Sequence, residues 1–154
     1  MAHPLKPTRT DKSARALYWA SLVLAVLGAA DAVYLLVLKY TQLEAMCVGS
    51  HGCITVNNSP YSMVYGIPVA LLGLLGFLCI GVILGLESRW RLAAEYGPML
   101  VFGGGLIGVL YSAYLTYLEY AVIHAFCPFC VASAIIVTLI FILAVIRLVR
   151  QTAS

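Results

Sequence analysis

Charge is what this chain has least of: nine basic and six acidic residues stand among 154. So few charges cannot cover the surface of a soluble domain of this size. With 63% hydrophobic residues and a mean hydropathy of +1.01, the composition is that of an integral membrane protein of one domain, residues 1–154. The net charge of +3 is accounted for by residues flanking apolar segments and gives no reason to invoke nucleic acid. No tag, internal repeat or low-complexity segment is evident. Cysteine is also sparse, at five residues, but four of the five fall into two pairs.

Four apolar stretches predict four membrane spans, at about 17–38, 68–86, 99–118 and 129–146. At a rise of about 1.5 Å per residue the first is about 33 Å long, enough to cross a hydrocarbon core of roughly 30 Å. Each stretch is continuously apolar rather than alternating, which predicts helices and not barrel strands. The fold class is therefore an all-α, four-transmembrane-helix bundle. Pro68 and Pro98 are expected at helix starts, where a missing N–H costs little. Gly81-x-x-x-Gly85 and Gly104-x-x-x-Gly108 are expected to serve packing within the bundle rather than dimerisation. The basic start and the Ala30-Asp31-Ala32 tripeptide loosely resemble a cleavable signal peptide, but the apolar run continues through Leu38 and is too long for a signal core.

Every basic residue except Lys39 lies before the first span, between the second and third, or after the fourth. By the positive-inside rule both termini are cytoplasmic. The long loop 39–65 between helices 1 and 2 and the short turn 119–126 are then extracytoplasmic. Both cysteine pairs fall in these outer segments, in the oxidising compartment.

Cys47 and Cys53 enclose Val-Gly-Ser-His-Gly, and two glycines let the chain turn so that the cysteines can approach disulfide distance. Alone, this pair would read as a structural disulfide. The second pair, Cys127-Pro128-Phe129-Cys130, changes that reading because it opens a helix. Pro128 suits the first turn, and the helix dipole stabilises a thiolate on Cys127. Two such pairs on one membrane face point to thiol–disulfide exchange, in which a thiolate attacks a disulfide sulfur.

Cys47 and Cys53, then Ser59-Pro60-Tyr61-Ser62, Gly66-Ile67-Pro68, the stretch 111–115 and Cys127-Pro128-Phe129-Cys130 form an ordered set over nearly the whole chain. In these the sequence resembles the vitamin K epoxide reductase family, specifically its short bacterial members. The resemblance implies a four-helix bundle enclosing a quinone, ubiquinone or menaquinone, in the plasma (inner) membrane of a prokaryote. It implies that a separate extracytoplasmic thioredoxin-like protein of DsbA type is reoxidised, with electrons passing through both pairs to the quinone. Residue by residue, Cys47 corresponds to the partner-facing thiol and Cys53 to the shuttle that exchanges with Cys127. Cys130 corresponds to the sulfur nearest the quinone. Ser59 matches a polar position near the active site, though a turn-capping role is equally expected. Ala134 stands where animal relatives carry a quinone-contacting tyrosine.

Other residues are read more plainly. Tyr111, Tyr114 and Tyr117 recur every third residue on the third helix and are candidates for the quinone ring, with packing or an aromatic belt as the alternative. Asp31 lies past the middle of the first span, where an acid costs about 2.5–3.5 kcal/mol on insertion scales. It is expected to face the bundle interior, as a proton relay or hydrogen-bonded to a tyrosine. Glu119, His124 and His51 are expected in ordinary interfacial roles, with proton exchange as the alternative. Cys79 is expected to be inert packing. Two other functions compete: a soft-metal-binding membrane protein using the same cysteines, and a DsbB-type oxidase, in which the order of the two cysteine pairs is reversed.

Overall fold

The computed structural model describes residues 9–41, 55, 58–125 and 127–153. Cys47, His51 and Cys53, and most of the long loop expected between the first two helices, lie outside the described residues. Four helices carry the fold: α1 (Arg9–Thr41), α2 (Val69–Glu87), α3 (Arg91–Leu118) and α4 (Pro128–Thr152). All four are long and apolar enough to cross a membrane. α1, α3 and α4 run past the apolar stretches that announced them, because a helix satisfies its own backbone groups and continues into the polar interface at no hydrogen-bonding cost.

The helices close into a ring in which α1 packs on α2 and α4, and α3 packs on α2 and α4. A core of Ala25, Phe77, Ile80, Leu84, Val101, Val137, Ile140 and Ala144 draws on all four. Large apolar side chains such as Trp19, Val26, Val82 and Ile135 are exposed around the outside. A bilayer-facing bundle has this character, since lipid removes the need for a polar exterior.

Close approach depends on particular glycines. A Cβ at Gly28 would overlap the Phe77 ring, and one at Gly108 would lie 2.7 Å from Val137 Cγ2. Gly105 would meet Phe141 at 3.3 Å, so the tight α3–α4 seam uses Gly105 and Gly108. The expected packing role fails for Gly81, Gly85 and Gly104, where a Cβ would meet nothing within 4 Å. Pro98 is likewise corrected: α3 begins at Arg91, so this proline lies inside the helix, buried beside Gly97.

Between α1 and α2, a 3-10 turn (Pro60–Ser62) leads into a minimal hairpin of β1 (Met63–Val64) and β2 (Ile67–Pro68). Tyr65 and Gly66 both have positive φ, +52° and +81°, as a two-residue hairpin turn of the primed type requires. Lys39, in the last turn of α1, donates to Ser62 Oγ at 2.8 Å, and Ser62 Oγ donates to the Ser59 carbonyl at 2.8 Å. These bonds tie the hairpin to the end of α1 and bring Ser59 to Ser62 over the mouth of the bundle.

At the opposite end, Arg147 pairs with Glu87 and stacks over Tyr18, 5.9 Å from the ring centroid, while Arg150 donates to Ser13 Oγ. Lys12, Arg15, Arg89, Arg91, Arg147 and Arg150 all belong to this end, and Cys127 belongs to the other.

Candidate functional site: a dithiol on the wall of an apolar cavity

Cys127 is the N-cap of α4 and Pro128 its first helical residue, so the helix begins inside the Cys-Pro-Phe-Cys run as the sequence predicts. Cys127 Sγ accepts the Cys130 backbone N–H at 3.4 Å, satisfying one of the donors that a helix start leaves unpaired. Cys127 and Cys130 are not joined to each other. Hydrogen bonding from the Cys130 thiol, reinforced by backbone N–H groups and opposed by burial, holds the Cys127 thiol below its ordinary pKa. Cys127 is fully buried beneath Leu35 and Leu38 of α1, and Tyr34 lies against Phe129 with ring centroids 4.6 Å apart. α1 therefore clamps the start of α4 and fixes where both sulfurs sit.

Cys130 lies on the wall of a half-open cavity of about 510 Å³ between the helices. Most of the wall is apolar, formed by residues such as Leu35, Ile80, Ile107 and Val137. Polar groups gather at the dithiol end: Ser59 and Tyr61 from the linker, Tyr111 and Glu119 from α3, and Ser133 from α4. The Tyr111 hydroxyl and Glu119 Oε2 are buried without a hydrogen-bond partner among the described residues. Gly73 and Gly76 of α2 and Gly104 of α3 lie on the same wall, and a Cβ at any of them would meet nothing within 4 Å. The glycines that do not pack helices leave room for the cavity.

The structure thus brings Ser59 and Tyr111 onto one wall with Cys130. Ser59 starts the 3-10 turn, but its side chain makes no capping bond. Tyr114, 52% exposed, and Ala134 are not among the cavity-lining residues, and Tyr117 also points outward. A step of three residues rotates about 300° around a helix, so tyrosines at that spacing drift off a single face.

Asp31 faces the bundle interior, but its partner is Ser133 rather than a tyrosine. Ser133 sits one turn beyond Cys130, and that spacing is the signal that could have placed it on the cavity wall. Cys79, expected to be inert packing, is exposed and lines the cavity.

Glu119 is the larger correction. Only 5% exposed, it is not an interfacial residue. α3 ends in a π-helical turn, Glu119–Ile123, and His124 follows in the left-handed region at φ +54°, its N–H bonded to the Glu119 carbonyl. This wider turn folds the chain back over the start of α4, so the Glu119 carboxylate faces the Cys127 N–H and the Cys130 thiol. His124 remains exposed.

The vitamin K epoxide reductase family model matches residues 19–145, from α1 through most of α4. The chain belongs to the vitamin K epoxide reductase family. A curated relative, the thiol-disulfide oxidoreductase LTO1 of Arabidopsis thaliana, is 30% identical over 124 residues, which cover 75% of this chain and 32% of the relative. The chain thus spans about a third of the length of that relative. Membership in the family and four bilayer-length helices make this a multi-pass membrane protein of the vitamin K epoxide reductase type.

Proposed function

We propose that this protein is a membrane thiol–disulfide oxidoreductase that generates disulfides outside the cytoplasm and delivers the electrons to a membrane quinone. The observation that carries the reading is Cys130, half of a helix-start dithiol, standing on the wall of a largely apolar cavity in a bundle of the vitamin K epoxide reductase family. A cavity of about 510 Å³ falls within the usual range for small-molecule sites, about 300–1,000 Å³. Its chemistry suits a quinone: apolar walls for ring and tail, and at the dithiol end a buried tyrosine hydroxyl with no hydrogen-bond partner among the described residues.

Tyr111, on the same cavity as Ser59 and Cys130, would hold a ring carbonyl by donating a hydrogen bond. A bound quinone supplies the two-electron acceptor. α1 and α4 hold the two sulfurs close enough for a disulfide to form between them, and the apolar walls exclude water from the reacting sulfurs. The lowered pKa of Cys127 raises its thiolate fraction at neutral pH and makes it a better leaving group when a mixed disulfide resolves.

Upstream of this pair we assign Cys53 as the thiol that exchanges with Cys127, and Cys47 as the thiol facing a DsbA-type, thioredoxin-like partner. The gathering of basic residues at the end away from the dithiol supports a topology with both termini cytoplasmic, in the inner membrane of a prokaryote.

The test is quinone reduction, followed by absorbance, with a reduced dithiol protein as donor. Cys130→Ser is expected to abolish turnover and Cys79→Ala to preserve it. Cys130→Ala is expected to accumulate a Cys53–Cys127 disulfide on mass mapping. Activity retained without Cys130 refutes the reading.

A further inference from the structure

We propose that Glu119 is a catalytic proton carrier: it takes the thiol proton of Cys130 as the Cys127–Cys130 disulfide closes and releases it into the cavity. The inference rests on the reading of this dithiol as the quinone-reducing pair.

A carboxyl group only 5% exposed is costly to bury unless something compensates it. No basic side chain forms an ion pair with Glu119 among the described residues. The cations of the helix ends lie at the far side of the bundle, and Lys39 donates to Ser62. What faces the carboxylate from α4 is the Cys127 N–H and the Cys130 thiol. Its charge repels a thiolate on Cys127, so it works against the ionisation that the rest of the helix start promotes.

The geometry suits transfer. The carboxylate meets the Cys130 thiol while Oε2 is left buried and without a partner among the described residues, and the residue lines the cavity. Its position depends on the π-helical turn, a rare feature that clusters at functional sites.

The reaction needs such a group. When the Sγ–Sγ bond forms, the dithiol loses two electrons and two protons, the quinone is reduced, and the product quinol holds both electrons and two protons. Cys127 has already released its proton to solvent as a thiolate, so the proton still in place is that of Cys130. Glu119 accepts it from the thiol, becoming the neutral acid, and rotation of the carboxyl group lets it release the same proton into the cavity. The second proton of the quinol comes from solvent.

Other titratable groups surround this path: Tyr111 on α3, Tyr61 on the linker, Cys79 on α2, and Asp31 on α1, bonded to Ser133 of the cavity wall. None of these faces the Cys130 thiol as Glu119 does.

The experiment compares wild type with Glu119→Gln in two assays. In the first, without quinone, the Cys127 thiolate is titrated by ultraviolet absorbance on a background lacking Cys47, Cys53 and Cys79. Loss of the carboxylate charge is expected to move the titration to lower pH. In the second, pre-reduced protein, all cysteines present, is mixed with a short-chain quinone, and quinol formation is expected to slow about a hundredfold, the lower end of what acid–base groups contribute. Easier ionisation with slower reduction is a combination that structural damage does not produce. Should Glu119→Gln fail to insert, Glu119→Asp makes the comparison, slowing quinol formation while leaving the Cys127 titration in place. Wild-type quinol formation in Glu119→Gln, or in Glu119→Asp where that stands in, overturns the proposal, as does a Cys127 titration that stays put in Glu119→Gln. A wild-type protein that reduces no quinone at all sinks the underlying reading instead.

Discussion

A leucine at Gly104 or Gly76 separates the cavity's role in binding from its contribution to stability. Both glycines lie on the stripes that α3 and α2 present to the cavity, and a Cβ at either would meet nothing within 4 Å beyond its own stretch of helix. The added side chain therefore meets no backbone or neighbouring side chain at its root. Helix propensity favours it by somewhat less than the roughly 0.8–1.0 kcal/mol that separates alanine from glycine. Folding stability is expected to hold or rise. Binding is expected to suffer, because the new side chain occupies space inside a cavity of about 510 Å³. Excluding about 60 Å² of ligand surface at about 25 cal/mol per Å² forfeits about 1.5 kcal/mol, roughly a tenfold rise in KM for quinone. Gly108→Leu is the contrasting variant: its Cβ would lie 2.7 Å from Val137 Cγ2, and overpacking of this kind costs about 1–3 kcal/mol. The assay pairs quinone KM with thermal unfolding in detergent for all three variants. If Gly104→Leu and Gly76→Leu both fold and keep the wild-type KM, the cavity is not where the quinone binds. If they unfold as Gly108→Leu does, the account of the open glycines is wrong.

Two further outcomes follow from other parts of the bundle. The Cys127 titration is expected below the ordinary thiol value of about 8.5, moving up in Cys130→Ala, which removes the largest cause of the shift. Since the folded-state value is the depressed one, the thiolate stabilises the fold fully above the ordinary thiol range, and this is lost as pH falls through the folded value; unfolding followed against pH in the reduced protein checks the sign, and a stability that rises as pH falls through that window contradicts it. At the other end, Arg147→Met strands the Glu87 carboxylate, which is 5% exposed, and is expected to cost about 3–5 kcal/mol, with Glu87→Leu/Arg147→Met recovering most of it. Thermal unfolding measures both, and a single variant that melts with wild type refutes the assignment.

Much of this protein was legible in the sequence because the information is local. Continuous apolar runs announce spanning helices, since only a helix satisfies its backbone inside lipid. Cys127-Pro128-Phe129-Cys130 announces a helix start, because proline fits the first turn and a cysteine can cap it. What the sequence left open depends on which faces meet. Glycine at 104 and glycine at 108 look equivalent and both line the cavity, yet a Cβ at the first would meet open space and at the second Val137, a difference set by the rotation of α3 against α4. Three tyrosines at equal spacing look like one face, but only Tyr111 reaches the cavity, because 3.6 residues per turn carries the others away. Asp31 and Ser133 are far apart in the chain and meet only through the packing of α1 on α4. Glu119 depends on a π-helical turn, which no propensity announces, so its charge looked interfacial until the fold buried it against the Cys130 thiol. The sequence by itself determined the four helices and the chemistry of the cysteines; the tertiary structure alone decided which polar groups stand around them, because side chains distant in the chain become neighbours only when the ring of helices closes.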